Sequence, residues 1–217
     1  MQNNATNENE VSLQIAKLLL KVKAIKIQPN SPFTWASGWK SPIYCDNRIT
    51  LSYPQIRTYI RQEFVKKIQD EFGDVDLIAG VATGGIAHGA LIAQEMGLPF
   101  AYVRSEQKAH GTSNQVEGVV ESGQRVIVIE DLISTGGSSL KAVEALRALN
   151  CDVKALIAIF SYDFEIAKNS FDEAKCKMIS LSNYNDLIEQ AIADEFIQEK
   201  DLESLKQWRK DPANWGK

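Results

Sequence analysis

Four β-branched apolar residues in a row, Val126-Ile127-Val128-Ile129, run directly into the acid pair Glu130-Asp131. A strand with one wet face alternates apolar and polar side chains. A strand without alternation is dry on both faces, which calls for a parallel sheet with helices packed on either side. The rest of the chain fits that frame. Residues 75–79, 100–103, 153–160 and 177–181 read as further strands. Helical spacing recurs at 53–72, 85–96, 138–149 and 163–175. Alternating strands and helices imply right-handed crossovers and an α/β fold built on a central parallel sheet flanked by helices.

The ends of the chain are less regular. Residues 1–9 are polar and Asn-rich and are expected to fray. From Glu10, the residues Val11, Ile15, Leu18, Leu19 and Val22 mark an amphipathic helix. Residues 25–27 look extended, and 33–44 mix aromatics with Ser, Gly and Pro in the manner of a short hairpin region. Ser52 and Gln55 have capping-box spacing around Pro54, which suits a first helical position. Two helices close the chain, the last with Leu202, Leu205 and Trp208 on one stripe.

Composition removes several function classes. The 217 residues carry 24 Lys+Arg against 28 Asp+Glu, a net charge of −4, so no global attraction to nucleic acid is expected. The longest unambiguous apolar run, 155–160, is too short to cross a bilayer, and residues 1–10 lack the basic and apolar regions of a secretory leader. Cys45, Cys151 and Cys176 are widely spaced and odd in number, which fits a reducing cytoplasm better than a disulfide framework or a zinc site. One domain is expected over 1–217.

Ligands of open parallel sheets bind beyond the carboxyl ends of the strands. Three such places stand out. The first is Glu130-Asp131-Leu132-Ile133-Ser134-Thr135-Gly136-Gly137-Ser138. Glycines let the backbone approach a ligand, and the free N–H groups of a helix's first turn favour phosphate. Two carboxylates beside such a nest repel a bare polyphosphate unless they hold sugar hydroxyls or a metal ion, so the pattern points to a ribose phosphate. A strand–turn–helix with a good cap would look the same by pattern alone. No Walker A loop and no G-x-G-x-x-G occurs.

The second place is the polar stretch 105–118, whose only apolar residues are Ala109 and Val116. Long structureless loops in compact domains are often lids, although a solvated loop reads alike. Arg104, Lys108 and His110 occupy even positions, so an extended chain would present them on one side, placed to neutralise a phosphate. The third is Gly80-Val81-Ala82-Thr83-Gly84-Gly85-Ile86, a second anion nest or a tight connection. His88, just beyond it, has no partner at metal-ligand spacing and reads as a packed histidine.

The stretch V-I-V-I-E-D-L-I-S-T-G-G-S (126–138) resembles the phosphoribosyl-pyrophosphate signature of the type I phosphoribosyltransferases. F-T-W-A-S-G-W-K-S-P-I-Y-C-D-N-R (33–48) resembles the N-terminal hood of the orotate phosphoribosyltransferases, and Y-V-R-S-E-Q-K-A-H-G (102–111) resembles their catalytic lid. The resemblance, over about 13–181, implies a hood near 10–50, a core near 51–182 and C-terminal helices near 183–210. It also implies transfer of phosphoribosyl from phosphoribosyl pyrophosphate to orotate, giving orotidine 5′-monophosphate and pyrophosphate, with Mg²⁺ brought by the substrate. Glu130 and Asp131 would then hold the ribose hydroxyls, and Ser134 to Ser138 the 5′-phosphate, with Leu132 and Ile133 in the same binding segment. Asp131, Lys108 and His110 would be catalytic, the last two closing over the pyrophosphate with Arg104. A homodimer sharing its lids is implied. Where some family members carry Lys, this chain has Ala36, Gly84, Ser105 and Glu106. A purine or uracil phosphoribosyltransferase of the same fold, or a non-catalytic regulator that senses phosphoribosyl pyrophosphate, would share the first motif.

Overall fold

The computed structural model describes residues 2–35, 37–104 and 115–215. Helix α1 (Gln2–Lys21) leads into two small antiparallel ribbons, β1 (Ile25–Ile27) paired with β4 (Ile43–Cys45) and β2 (Phe33–Thr34) paired with β3 (Lys40–Ser41). A 3-10 turn (Asn47–Ser52) precedes α2 (Pro54–Phe72). The central elements follow: β5 (Leu77–Val81), α3 (Gly84–Met96), β6 (Phe100–Val103), β7 (Val116–Glu117), β8 (Arg125–Ile133), α4 (Gly137–Ala148) and β9 (Asp152–Ser161). Last come α5 (Glu165–Glu173), β10 (Met178–Asn183), α6 (Tyr184–Ala193), a short 3-10 turn and α7 (Leu202–Lys210).

The main sheet has the order β10-β9-β8-β5-β6-β7, parallel except for the antiparallel edge strand β7. Ile127, Ile129 and Ile157 face a core built with α1, α2, α3, α6 and α7. Val126, Val128 and Leu156 face one built with α4 and α5. The unalternating strand is thus dry on both sides.

Four expectations need correction. The first helix begins at Gln2, and its polar start is tied down where Glu8 pairs with Lys67 of α2 at 2.7 Å. Ser52 does not cap α2: it ends the 3-10 turn, and Tyr53 occupies the cap position without a side-chain bond, although Pro54 does start the helix. The end of the loop expected over 105–118 is strand instead, because Val116 and Glu117 pair with Val103 and Tyr102; residues 105–114 lie outside the described residues. The strand expected over 126–129 continues to Ile133, since β9 pairs with it as far as Ile133↔Ser161.

The two ribbons are anchored by aromatics. Trp35 packs on Tyr162 and Trp208 at ring separations of 5.2 and 5.8 Å, and its Nε1 donates to the Ile43 carbonyl at 3.0 Å. Trp208, fully buried on α7, also meets Phe164 and Tyr184, whose hydroxyl donates to the Leu205 carbonyl at 2.8 Å. The C-terminal helix therefore clasps the N-terminal ribbons. Trp208→Ala should cost about 3–5 kcal/mol of stability, read as a shift of the denaturant midpoint. A change under 1 kcal/mol would show that the clasp contributes little.

Candidate active site

Chain order reverses between β5 and β8: from β5 the sheet grows through β6 on one side and through β8 and β9 on the other. Crossovers diverge at such a point and leave a crevice beyond the strand ends. Here β5 stops pairing with β8 at Gly80↔Ile129, while β8 runs on beside β9. Glu130 and Asp131 are the first residues of β8 past its β5 partner. Their open flank is a cleft of about 320 Å³ lined by Ala82, Thr83 and Gly84 on one side and by Asp131, Ser134 and Thr135 on the other.

The acid pair is closely held. Glu130, 5% exposed, accepts from Ser139 Oγ at 2.9 Å and from the Asp131 N–H at 3.0 Å. Burial, and then the charge of Asp131, pushes the Glu130 carboxyl well above the usual carboxylate range. Burial also raises Asp131, opposed by a hydrogen bond from Glu130 and by the nearby Arg48. Burial thus acts against the charged form of both acids. On the cleft's other wall, α3 begins at Gly84, where a Cβ would overlap the Asp131 carboxylate. A lysine at this position would require Asp131 to move.

Beyond Ile133 the chain turns through Ser134, Thr135 and Gly136 into α4. Gly136 has φ +82°, and a Cβ there would lie 2.8 Å from the Phe171 ring, so the turn needs glycine on both counts. The first N–H groups of α4 have no partner within the helix, which leaves Gly137, Ser138 and Ser139 as anion donors.

The structure distributes the expected residues unevenly. Glu130, Asp131, Leu132, Ser134, Thr135, Gly136 and Ser138 line the cleft. Gly137 is exposed at the start of α4. Ile133 is fully buried, with its side chain in the α4–α5 core. Arg104 stands at the end of β6, 3.5 Å from Glu117, and its main chain pairs with Gln115. Lys108 and His110 lie outside the described residues. Arg104 and Gln115, the described residues on either side of that segment, are bonded to each other at the end of β6, whose Val103 carbonyl accepts from the Ala82 N–H at 2.8 Å.

His88 is packed, 1% exposed, and held neutral with its pKa lowered to about 4 by burial and by Arg57. Ser139 and Asn47, whose Nδ2 donates to the Asp131 carbonyl at 2.6 Å, were not singled out in the sequence. Ser139 adjoins the motif and could have been read as a further hydroxyl of the turn; nothing local marks Asn47. A larger cleft, about 510 Å³, lies between α1, α2 and β10, but none of the described residues among the predicted site lines it.

A strand-end acid pair beside a switch point, followed on the same strand by an anion-binding turn, describes a phosphoribosyltransferase site, and the phosphoribosyl transferase domain family matches residues 52–194. Over 202 residues the chain is 55% identical to the orotate phosphoribosyltransferase of Porphyromonas gingivalis, covering 93% of this chain and 96% of that protein. It is 50% identical over 207 residues to the orotate phosphoribosyltransferase of Listeria monocytogenes, covering 95% and 99%. The crystal structure of orotate phosphoribosyltransferase from Aeropyrum pernix superimposes with a TM-score of 0.72 at 29% identity, covering 81% of this chain and 97% of that one. The chain belongs to the phosphoribosyl transferase family. Within it, the chain is a member of the orotate phosphoribosyltransferases.

The buried acids have a consequence for stability. A carboxyl whose pKa is higher folded than unfolded contributes fully below the unfolded value, about 4.3 for Glu, and loses that contribution as pH rises through the folded value. Glu130→Gln keeps an acceptor for the Asp131 N–H and can donate to Ser139. It should melt higher than wild type at pH 8, with the gap closing toward pH 4, while losing activity. A gap of constant size across that range would show that the charge of Glu130 carries no such cost.

Proposed function

We propose that this protein transfers the 5-phosphoribosyl group from phosphoribosyl pyrophosphate to orotate, releasing pyrophosphate and forming orotidine 5′-monophosphate in pyrimidine synthesis. The observation that carries this reading is the acid pair placed past the end of β5 and facing the turn into α4. Glu130 and Asp131 would accept hydrogen bonds from the ribose hydroxyls and favour positive charge on the sugar. Ser134, Thr135 and Ser138 with the first N–H groups of α4 would bind the 5′-phosphate. A ring nitrogen of orotate bonds to the anomeric carbon as the bond to pyrophosphate breaks, through an oxocarbenium-like transition state. The nitrogen's proton is lost to the surroundings, and no protein nucleophile is needed. Catalysis rests on positioning and on donors aimed at the departing charge. From the family pattern, Arg104, Lys108 and His110 supply those donors, serving a neighbouring subunit in a homodimer.

Among the described residues, no group of three or more His, Cys, Asp and Glu could hold a metal. Two adjacent carboxylates suit Mg²⁺, which takes one or two such ligands and fills its remaining positions from water and substrate phosphates. Glu130 and Asp131 would face the ion, which would neutralise pyrophosphate charge. None of the described helices is long and apolar enough to cross a membrane; the free thiols of Cys45, Cys151 and Cys176 favour a reducing cytoplasm.

Orotate absorbance should fall only when phosphoribosyl pyrophosphate and Mg²⁺ are both present. Consumption of uracil or a purine instead would overturn the choice of acceptor. Lys108→Ala should lower turnover by about 10²–10³ with a much smaller change in substrate affinity; unchanged turnover would remove Lys108 from the lid's chemistry.

A further inference from the structure

The hood reaches the acid pair at one buried residue. Asn47 opens the 3-10 turn and is fully buried, and its Nδ2 donates to the Asp131 carbonyl at 2.6 Å. The amide's orientation follows from its neighbours. Cys45 Sγ donates to Asn47 Oδ1 at 3.2 Å, which leaves Nδ2 to face the carbonyl; the flipped amide would set two oxygens against each other.

The main chain of Asn47 is held as firmly. Thr50 Oγ1 lies 2.6 Å from the Asn47 carbonyl and 3.3 Å from His88 Nε2. A hydroxyl has one hydrogen, and a carbonyl can only accept, so Thr50 donates to Asn47 and His88 donates to Thr50. His88 is therefore the Nε2–H tautomer, and its Nδ1 has no partner among the described residues. The donor chain runs one way, from α3 through Thr50 to Asn47, whose amide then donates to β8.

The Asp131 residue is consequently bonded at both ends. Its N–H goes to the Glu130 carboxylate at 3.0 Å and its C=O to Asn47, while its side chain fills the space that Gly84 leaves open. Turning the main chain at Asp131 would displace both carboxylates together. We infer that Asn47 is a positioning residue for the ribose-binding acid pair, coupling the order of the hood to the affinity for phosphoribosyl pyrophosphate through the Asp131 main chain. Asn47 is fully buried and is not among the residues that line the cleft. The inference rests on the phosphoribosyl-transfer reading and adds to it a residue that acts only on the sugar donor.

The test compares wild type, Asn47→Ala and Asn47→Asp as full-length folded protein. Folding is checked by melting, phosphoribosyl pyrophosphate binding with Mg²⁺ by calorimetry, and KM for each substrate with the other saturating. A displacement of the acids should lower kcat/KM for phosphoribosyl pyrophosphate by about 10- to 100-fold and weaken its binding, with the orotate KM within about twofold of wild type. Asn47→Asp, which places an oxygen against the carbonyl and adds charge beside the acids, should be the worse variant. Unchanged donor affinity, or equal losses for both substrates in step with the folded fraction, would overturn the inference.

If neither variant folds, Cys45→Ala and Cys45→Ser decide. Serine keeps a donor for Oδ1 and should retain donor affinity, whereas alanine frees the amide and should weaken it severalfold. Equal affinity in the two would also overturn the inference. Wild type that binds phosphoribosyl pyrophosphate but ignores orotate overturns the acceptor assignment alone, and the Asn47 comparison is still read from binding. Wild type that binds no phosphoribosyl pyrophosphate overturns both.

Discussion

Two carboxylates at the end of a dry strand are an unfavourable thing to build, and the surrounding structure is arranged around holding them. Desolvation acts against the charged form of both groups. Ser139, the Asp131 N–H and the Asn47 amide provide the hydrogen bonds that make the geometry tolerable, and β8 is stiffened through Ile133 by its pairing with β9. The cost is kept because the same burial prepares the acids for a ligand. In the proposed reaction, ribose hydroxyls would find acceptors already oriented, in a medium where each hydrogen bond is stronger than in water.

Around this pair, three parts of the chain distant in sequence converge. The hood delivers Asn47, the start of α3 delivers Gly84, and the turn into α4 delivers Ser134, Thr135 and Gly136. The hood in turn leans on the C-terminus, because Trp35 and Trp208 share one aromatic cluster with Tyr162. The ends of the chain are therefore mechanically connected to a site formed in its middle. Arg104 follows β6, the parallel strand on the other side of β5, and so stands at the same end of the sheet as the cleft.

Much of this was legible in the amino-acid order because it depends on local rules. An unbroken apolar strand announces burial on both faces, four-residue spacing announces Ile56, Ile60, Phe64 and Ile68 on one side of α2, and Gly136 marks a turn that needs positive φ. The errors fell where a partner strand or a neighbouring turn overrides local preference. Val116 and Glu117 become a strand only because Val103 and Tyr102 offer a ladder, and Ser52 is drawn out of the cap position by the 3-10 turn before α2.

By itself the sequence determined the α/β alternation, the place of the acid pair at a strand end and the chemistry of the turn beyond it. Each of these is set by residue type and short-range spacing, which act within a few residues of chain. Only the tertiary structure decided that β8 outruns β5 to expose the acids, that Gly84 makes room for Asp131, and that Asn47 bonds to a residue 84 positions away. Such contacts are properties of packing between distant segments, and no periodicity along the chain encodes which amide will meet which carbonyl.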